Sequence, residues 1–245
     1  LDLQAFKNYI PTELFSKNDF PPVRENQAYL LTLSPYGHYW FILKPSSQAV
    51  HEYRVHELVL PEWDELEDID KLEELASNVL TDYIVTTKWF DRKTRQVRNI
   101  SISRCLPLQM GKHKFFILFI TVLFDTGVSD TYQLPVKFLS NNHATALAEN
   151  TPQAIICKVV AGEKKGMICD AVYTQEFKQS VLQNMARDKA LRGHDFEIRF
   201  TSNDDVENYC KTHDDIRSRI LPVDDSNTSI GYDNFLFLKI YRQID

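Results

Sequence analysis

Five β-rich runs follow one another between residues 97 and 172, at about 97–106, 114–124, 130–139, 153–161 and 166–172. Their connections contain Met110-Gly111-Lys112, Asp125-Thr126-Gly127 and Gly162-Glu163-Lys164-Lys165-Gly166. Regular short spacing with hairpin-type turns predicts an antiparallel meander that curls on itself. The run Phe115-Phe116-Ile117-Leu118-Phe119-Ile120 is apolar on both sides, which places it in the middle of that sheet.

Helices are expected on either side. From Pro61, the residues Trp63, Leu66, Ile69, Leu72, Leu75, Val79 and Tyr83 recur every three or four positions and form one apolar helix face. Asp64, Glu65, Glu67, Asp68, Asp70, Glu73 and Glu74 cover the remainder; they read as a solvated face, with cation binding as the other reading. A second helix is predicted over about 174–191, capped by Thr174 and ended by Gly193, with Phe177, Val181, Leu182 and Met185 inward. A strand at 194–201, a polar helical stretch at 203–215, and a final pair, Ser226–Ile230 and Phe235–Tyr241, follow. Ahead of the helices, Tyr29–Leu33 and His38–Leu43 flank Ser34-Pro35-Tyr36-Gly37 and read as a hairpin, too few strands for a core of their own. The fold class is therefore α+β: a curled antiparallel meander with flanking helices, preceded by a β-hairpin remnant.

Composition excludes several functions. A net charge of -6 argues against nucleic acid and anionic membrane surfaces, which need a basic footprint. No apolar run approaches the roughly 20 residues of a spanning helix. Seven histidines lie scattered without His-Glu-x-x-His, so no metal site is expected. Cys105, Cys157, Cys169 and Cys210 form no Cys-x-x-Cys and read as free thiols in a reducing, cytoplasmic compartment. The chain opens on Leu1-Asp2-Leu3, with no leader pattern, and stops at Asp245 just after an apolar strand; both ends are expected to lie inside a longer polypeptide.

Chemistry concentrates near residue 230. The polar run Asp224-Asp225-Ser226-Asn227-Thr228-Ser229 leads into a strand, and the return strand Phe235-Leu236-Phe237-Leu238-Lys239-Ile240-Tyr241-Arg242 carries one lysine. Kinase N-lobes set a phosphate-covering loop and a strand lysine in this way. Lys239 shares a face with Phe237 and Tyr241, which reads as a face with buried-type neighbours. A lysine snorkelling beside a solvated loop has the same pattern. The cofactor-binding candidates are Lys239, Ser226, Asn227, Thr228 and Ser229. Six residues follow Lys239, too few for a catalytic aspartate or metal ligands, so no catalytic residue is assigned.

Three groups of segments carry a resemblance. Asp224 to Tyr241 is similar to the Ser-Asn-Thr-Ser segment and following strand of maltokinases. Trp89-Phe90-x-x-Lys93-x-Arg95, Tyr132-Gln133-Leu134-Pro135-Val136 and Asp170-Ala171-Val172-Tyr173 resemble the maltokinase N-terminal cap domain, although Asp91, Arg92 and Thr94 stand where that family has glycines. Glu13-Leu14-Phe15, Phe20-Pro21-Pro22, Tyr29–Leu33 and Tyr36–Phe41 resemble the end of the trehalose synthase C-terminal β-sandwich. Their order is that of trehalose synthase/maltokinase fusions.

The resemblance implies a division into 1–44 (remnant of the β-sandwich), 62–200 (cap) and 201–245 (start of a kinase N-lobe, the closing hairpin). Between the first two, 45–61, from Pro45-Ser46-Ser47-Gln48 onward, reads as a linker that becomes a short strand through Val55 to Leu60. It implies a parent that isomerises maltose to trehalose on an upstream barrel and phosphorylates maltose with ATP and Mg²⁺ on a downstream lobe. Both would be partners of this stretch within one polypeptide, and this stretch alone would bind no cofactor and turn over no substrate. Lys239 would face the nucleotide and Ser226–Ser229 the phosphates; Trp89, Lys93 and Arg95 read either as structural or as contact residues. The alternative is a self-contained β-rich interaction or glycan-binding module in which Tyr36, Tyr39, Trp40 and Trp89 stack on sugars. Open strand edges at 1–44 would invite pairing with another copy, a homo-oligomer.

Overall fold

The computed structural model describes residues 3, 6, 9–16, 18, 20, 21, 23, 29–31, 33, 37–45, 57–63, 66–90, 95–213, 215–221 and 226–244. The chain divides into two compact units, residues 1–55 and 56–245.

In the first unit, β1 (Tyr9–Glu13) pairs antiparallel with β2 (Phe41–Pro45). This corrects the hairpin expected around residues 34–37. Residues 29–31, 33 and 37–40 form no strand, and the turn residues 34–36 lie outside the described residues. Leu30 and Leu33 are 89% and 53% exposed, whereas Thr12 and Glu13 of β1 are buried. The apolar backing therefore belongs to the β1 pairing, and Phe41 joins it by packing edge-on against Phe20, with centroids 4.9 Å apart. The Glu13 carboxylate accepts from the N–H groups of Phe15 and Ser16, which closes the turn after β1 and lowers its pKa.

The second unit is built on a mixed sheet. Its strands are β3 (Glu57–Leu60), β4 (Val97–Met110), β5 (His113–Phe124), β6 (Ser129–Ser140), β7 (Ile155–Ala161) and β8 (Lys164–Asp170), in the spatial order β3-β7-β8-β6-β5-β4. The short C-terminal strand β14 (Gln243–Ile244) pairs with the start of β6. β4, β5 and β6 form the expected meander, turning at Gly111 and Gly127, both with positive φ. The meander then breaks. Helix α3 (Asn141–Asn150), unmarked in sequence because only Ala144 gives it a fully buried side chain, carries the chain past one strand position. β8 folds back into that position between β6 and β7. Gly166 on β8 makes the insertion feasible, since a Cβ there would run into the Leu139 carbonyl oxygen and the Phe138 ring. β3 adds to β7 in parallel and lies within the short strand expected at the end of the linker, while 46–56 lie outside the described residues.

Each face of the sheet has its own core. On one, Phe116, Leu118, Ile120, Val122 and Phe124 of β5 pack with Leu66, Leu75, Val79, Leu80, Tyr83, Ile84, Trp89 and Phe90. The helix supplying that layer is α1 (Ile69–Leu75), a π-helical turn (Ala76–Leu80) and α2 (Thr81–Ile84). Leu75, Val79 and Tyr83 are buried as expected, whereas Ile69, expected inside, opens α1 at its first turn and is 73% exposed. Asp68 caps α1 by accepting from the N–H groups of Asp70 and Lys71.

On the other face, Phe115, Leu108 and Met110 meet α4 (Gln175–Ala186), α5 (Asp204–Thr212) and a three-stranded antiparallel sheet, β11 (Ser218–Leu221), β12 (Asn227–Tyr232) and β13 (Leu236–Tyr241). Thr174 caps α4 as expected, but Gly193 does not end it. The helix stops at Ala186, Asp188 takes the positive φ of 45°, and Gly193 turns a small hairpin of β9 (Ala190–Arg192) and β10 (Glu197–Arg199). The architecture is α+β. Among the described residues no helix is long and apolar enough to cross a membrane.

Cys157 and Cys169 are buried within the strands, and all four cysteines are free thiols. Burial pushes the Cys105 and Cys157 thiols up to about 12 and Cys169 upward as well, so the reactive thiolate is suppressed. At about pH 8, a thiol reagent should modify Cys210 first in the native protein and reach all four only on unfolding. Fast native labelling of Cys157 or Cys169 would contradict this packing.

Candidate functional site

The candidate nucleotide-facing residues sit on the three-stranded sheet. β12 and β13 pair with Asn227 opposite Tyr241, Thr228 opposite Ile240, Ser229 opposite Lys239 and Ile230 opposite Leu238. Directly opposed residues in an antiparallel pair share a face. Thr228, Ile230, Leu238 and Ile240 thus face inward, onto the cluster beneath, while Ser229, Phe237, Lys239 and Tyr241 face outward. This corrects the reading of Lys239 as having buried-type neighbours: Phe237 and Tyr241 are 62% and 60% exposed. The Lys239 ammonium lies over the Tyr241 ring, 5.6 Å from its centroid. Ser229, in the middle strand between Leu221 and Lys239, is nevertheless buried.

The remaining polar residues divide. Ser226 is exposed and accepts from the Asn227 side-chain amide at 3.0 Å. Thr228 is buried and its hydroxyl oxygen accepts from Arg242 Nε at 2.8 Å, so that oxygen is turned toward the interior. Asp224 and Asp225 lie outside the described residues. β11 ends at Leu221 and β12 begins at Asn227, at the end of the sheet where Asn227 and Tyr241 pair.

Beneath this sheet lies a buried ion pair that sequence reasoning does not assign a role. Arg242 and Asp170 both have fully buried side chains, with Arg242 Nη2 donating to Asp170 Oδ2 at 2.6 Å. The guanidinium also lies over the Trp89 ring, 5.1 Å from its centroid, and Trp89 is 5.9 Å from Tyr132. Asp170 Oδ1 accepts from the Val172 N–H, capping the turn at Ala171–Tyr173. Burial pushes the Asp170 carboxyl up, with Arg242 pulling the other way. The neighbouring backbone is tied as well: the Gln133 N–H donates to the Arg242 carbonyl at 2.7 Å, and the Gln133 side-chain amide donates to the Tyr241 carbonyl at 2.7 Å. One signal could have found this pair. Asp170 is a lone carboxylate in the apolar run Met167–Val172, and a carboxylate there needs a buried cation.

The other sequence candidates are structural in position. Phe90 stacks on Phe124, and Arg95 lies over the Phe124 ring at 4.1 Å while pairing with Asp130 at 2.5 Å. Lys93 and Tyr36 lie outside the described residues. Tyr39 and Trp40 are 43% and 61% exposed, with Tyr39 packed on Phe20. Among the described residues no group of three or more His, Cys, Asp or Glu could hold a metal ion.

Arg242→Ala would leave the Asp170 carboxylate buried without its partner, and should lower stability in urea unfolding by about 3–5 kcal/mol. A loss below about 1 kcal/mol, the scale of an exposed pair, would contradict the burial.

Comparison with known proteins now adds to this geometry. Residues 1–40 match the family model of the maltogenic amylase C-terminal domain, and residues 83–173 match that of the maltokinase N-terminal cap domain. A trehalose synthase of Thermus thermophilus is 42% identical over 65 residues, which is 26% of this chain and 6% of that relative's length. The cap match begins at Tyr83 and ends at Tyr173, so it includes Trp89, Tyr132 and Asp170 of the buried cluster, while Arg242 lies beyond it. Residues 1–40 and 83–173 are thus similar, in this order, to a maltogenic amylase C-terminal segment and a maltokinase N-terminal cap, and with the trehalose synthase relative they support a place among trehalose synthase/maltokinase fusion proteins.

Proposed function

We propose that residues 56–245 are the cap and the first nucleotide-facing strands of a maltokinase-type lobe, within a cytoplasmic polypeptide that also interconverts maltose and trehalose. The observation that carries this reading is the register of the last sheet. Strand, polar loop, strand, tight turn and lysine-bearing strand follow in the order a kinase N-lobe uses, and Lys239 lies directly opposite Ser229, just inside the loop. The fusion-type order of the family matches supports it independently.

In this reading Lys239 supplies a fixed positive charge for nucleotide phosphates, and the outward-facing Phe237 and Tyr241 give the same surface an apolar flank. Ser226 offers a donor to phosphate oxygens, whereas Thr228, held by Arg242, serves the fold. ATP, bound with Mg²⁺, brings the phosphoryl group for maltose. The base and the metal ligands come from the rest of the kinase lobe. The chain's own contribution is to bind and orient.

In a polypeptide carrying a complete kinase lobe, Lys239→Ala should lower kcat/KM for maltose phosphorylation by about 10- to 150-fold, the worth of one charge-assisted hydrogen bond of about 1.5–3 kcal/mol. The 245-residue chain by itself should release no ADP in the presence of maltose. Unchanged phosphorylation in the variant, or maltose-dependent ADP from the short chain, would overturn the reading.

A further inference from the structure

The Asp170–Arg242 pair joins the part of the chain that matches the cap to β12 and to the end of β13, and its geometry is directional. One planar guanidinium is engaged on two edges: Nη2 holds Asp170 at the end of β8, and Nε holds Thr228 at the start of β12. Because the fork is rigid, the carboxylate and the hydroxyl cannot move independently while both bonds are kept. The face of the fork is limited as well, by the Trp89 ring 5.1 Å away. The main chain of Arg242 is fixed from the other side through Gln133 and the pairing of β14 with β6.

Alternation along the strand converts this into orientation. Thr228 points inward, so its neighbours Asn227 and Ser229 point outward. Holding the Thr228 side chain sets the rotation of β12 about its own axis at that point. It therefore sets the direction of Ser229 and, across the ladder, the position of Lys239. Lys239 is also only three residues from Arg242 along the chain. β12, which follows the loop, and β13, which carries Lys239, are thus anchored at one buried group.

We propose that Asp170 and Arg242 are positioning residues for the loop end of the β11–β13 sheet, through which the cap fixes the placement of Ser229 and Lys239. The nucleotide consequence rests on the function proposed above; the positional one does not. Energetics fit a positional role. A buried ion pair loses solvation on both partners, and among the described residues Arg242 Nη1 finds no hydrogen-bond partner. Apolar residues of similar volume would hold the same space with equal or better stability, but could not hold Thr228 in register.

The test uses the full-length polypeptide and two variants. Asp170→Leu combined with Arg242→Met replaces the pair with apolar volume, and Thr228→Val removes only the acceptor. Amide hydrogen exchange is read without ligand, and KM for ATP is read against kcat. We expect the double variant to keep the parent's thermal midpoint while exchange at Asn227, Ser229 and Lys239 rises about tenfold or more, and KM for ATP rises by a similar factor. If the double variant fails to fold, Thr228→Val carries both readouts. Unchanged exchange at these amides overturns the proposal. So does unchanged KM for ATP in a protein where Lys239→Ala raises it. If Lys239→Ala leaves that KM unchanged, the nucleotide reading fails instead, and the ligand-free exchange still decides the positional role.

Discussion

A carboxylate and a guanidinium, both withdrawn completely from water, set the terms for the second unit of this protein. Such a pair is poor at generating stability because each ion loses its hydration, yet it is demanding about geometry, since either partner left alone is severely penalised. Here the demand falls on four separate stretches of chain. Trp89 closes one side, Asp170 ends β8, Thr228 begins β12, and Arg242 follows β13. Segments that contribute to the resemblance with maltokinases, far apart in sequence, therefore meet around one charge.

The sheet accommodates that meeting through β6. One edge of this strand is paired by β5 over Ser129–Val136, while the other is divided: Val136–Ser140 receives β8, and Thr131–Tyr132 receives β14. The cap-matching strands and the C-terminal strand thus share one backbone scaffold. Apolar packing works separately on each face. The helical layer of α1, the π turn and α2 covers one side, and α4, α5 and the three-stranded sheet cover the other. β5 serves both cores, with Phe116, Leu118, Ile120, Val122 and Phe124 on one face and Phe115 and Ile117 on the other.

What could be read in the sequence follows from the range of the interactions involved. Hairpins at Gly111 and Gly127 were legible because turn chemistry and flanking β-rich runs lie within a few residues of one another. The insertion of β8 between β6 and β7 was not, since strand order depends on where α3 takes the chain, and α3 has no apolar stripe to announce itself. β1 and β2 pair across a long separation, and the turn signal at Ser34-Pro35-Tyr36-Gly37 between them pointed to a more local pairing. At the candidate site the closing strand pair was legible, but the opposition of Lys239 and Ser229 was not, because β12 runs on through Tyr232 and does not end at Ile230. The inward direction of Thr228 and the outward exposure of Phe237 and Tyr241 depended on which face meets the core, information that residues 224–241 alone do not contain. Arg242 looked like a strand-end arginine, and only the distant Asp170 explains why it is buried.

The functional account joins these observations. The cap-matching strands are tied to the three-stranded sheet by the buried charge and to the strand that follows it by the edge of β6. The most direct measurement of that union is native-state hydrogen exchange of the unmodified protein across a denaturant series. The account predicts that amides of β12 and β13 open in the same cooperative step as those of β6. Opening of β12 and β13 as a separate unit at much lower free energy would contradict it.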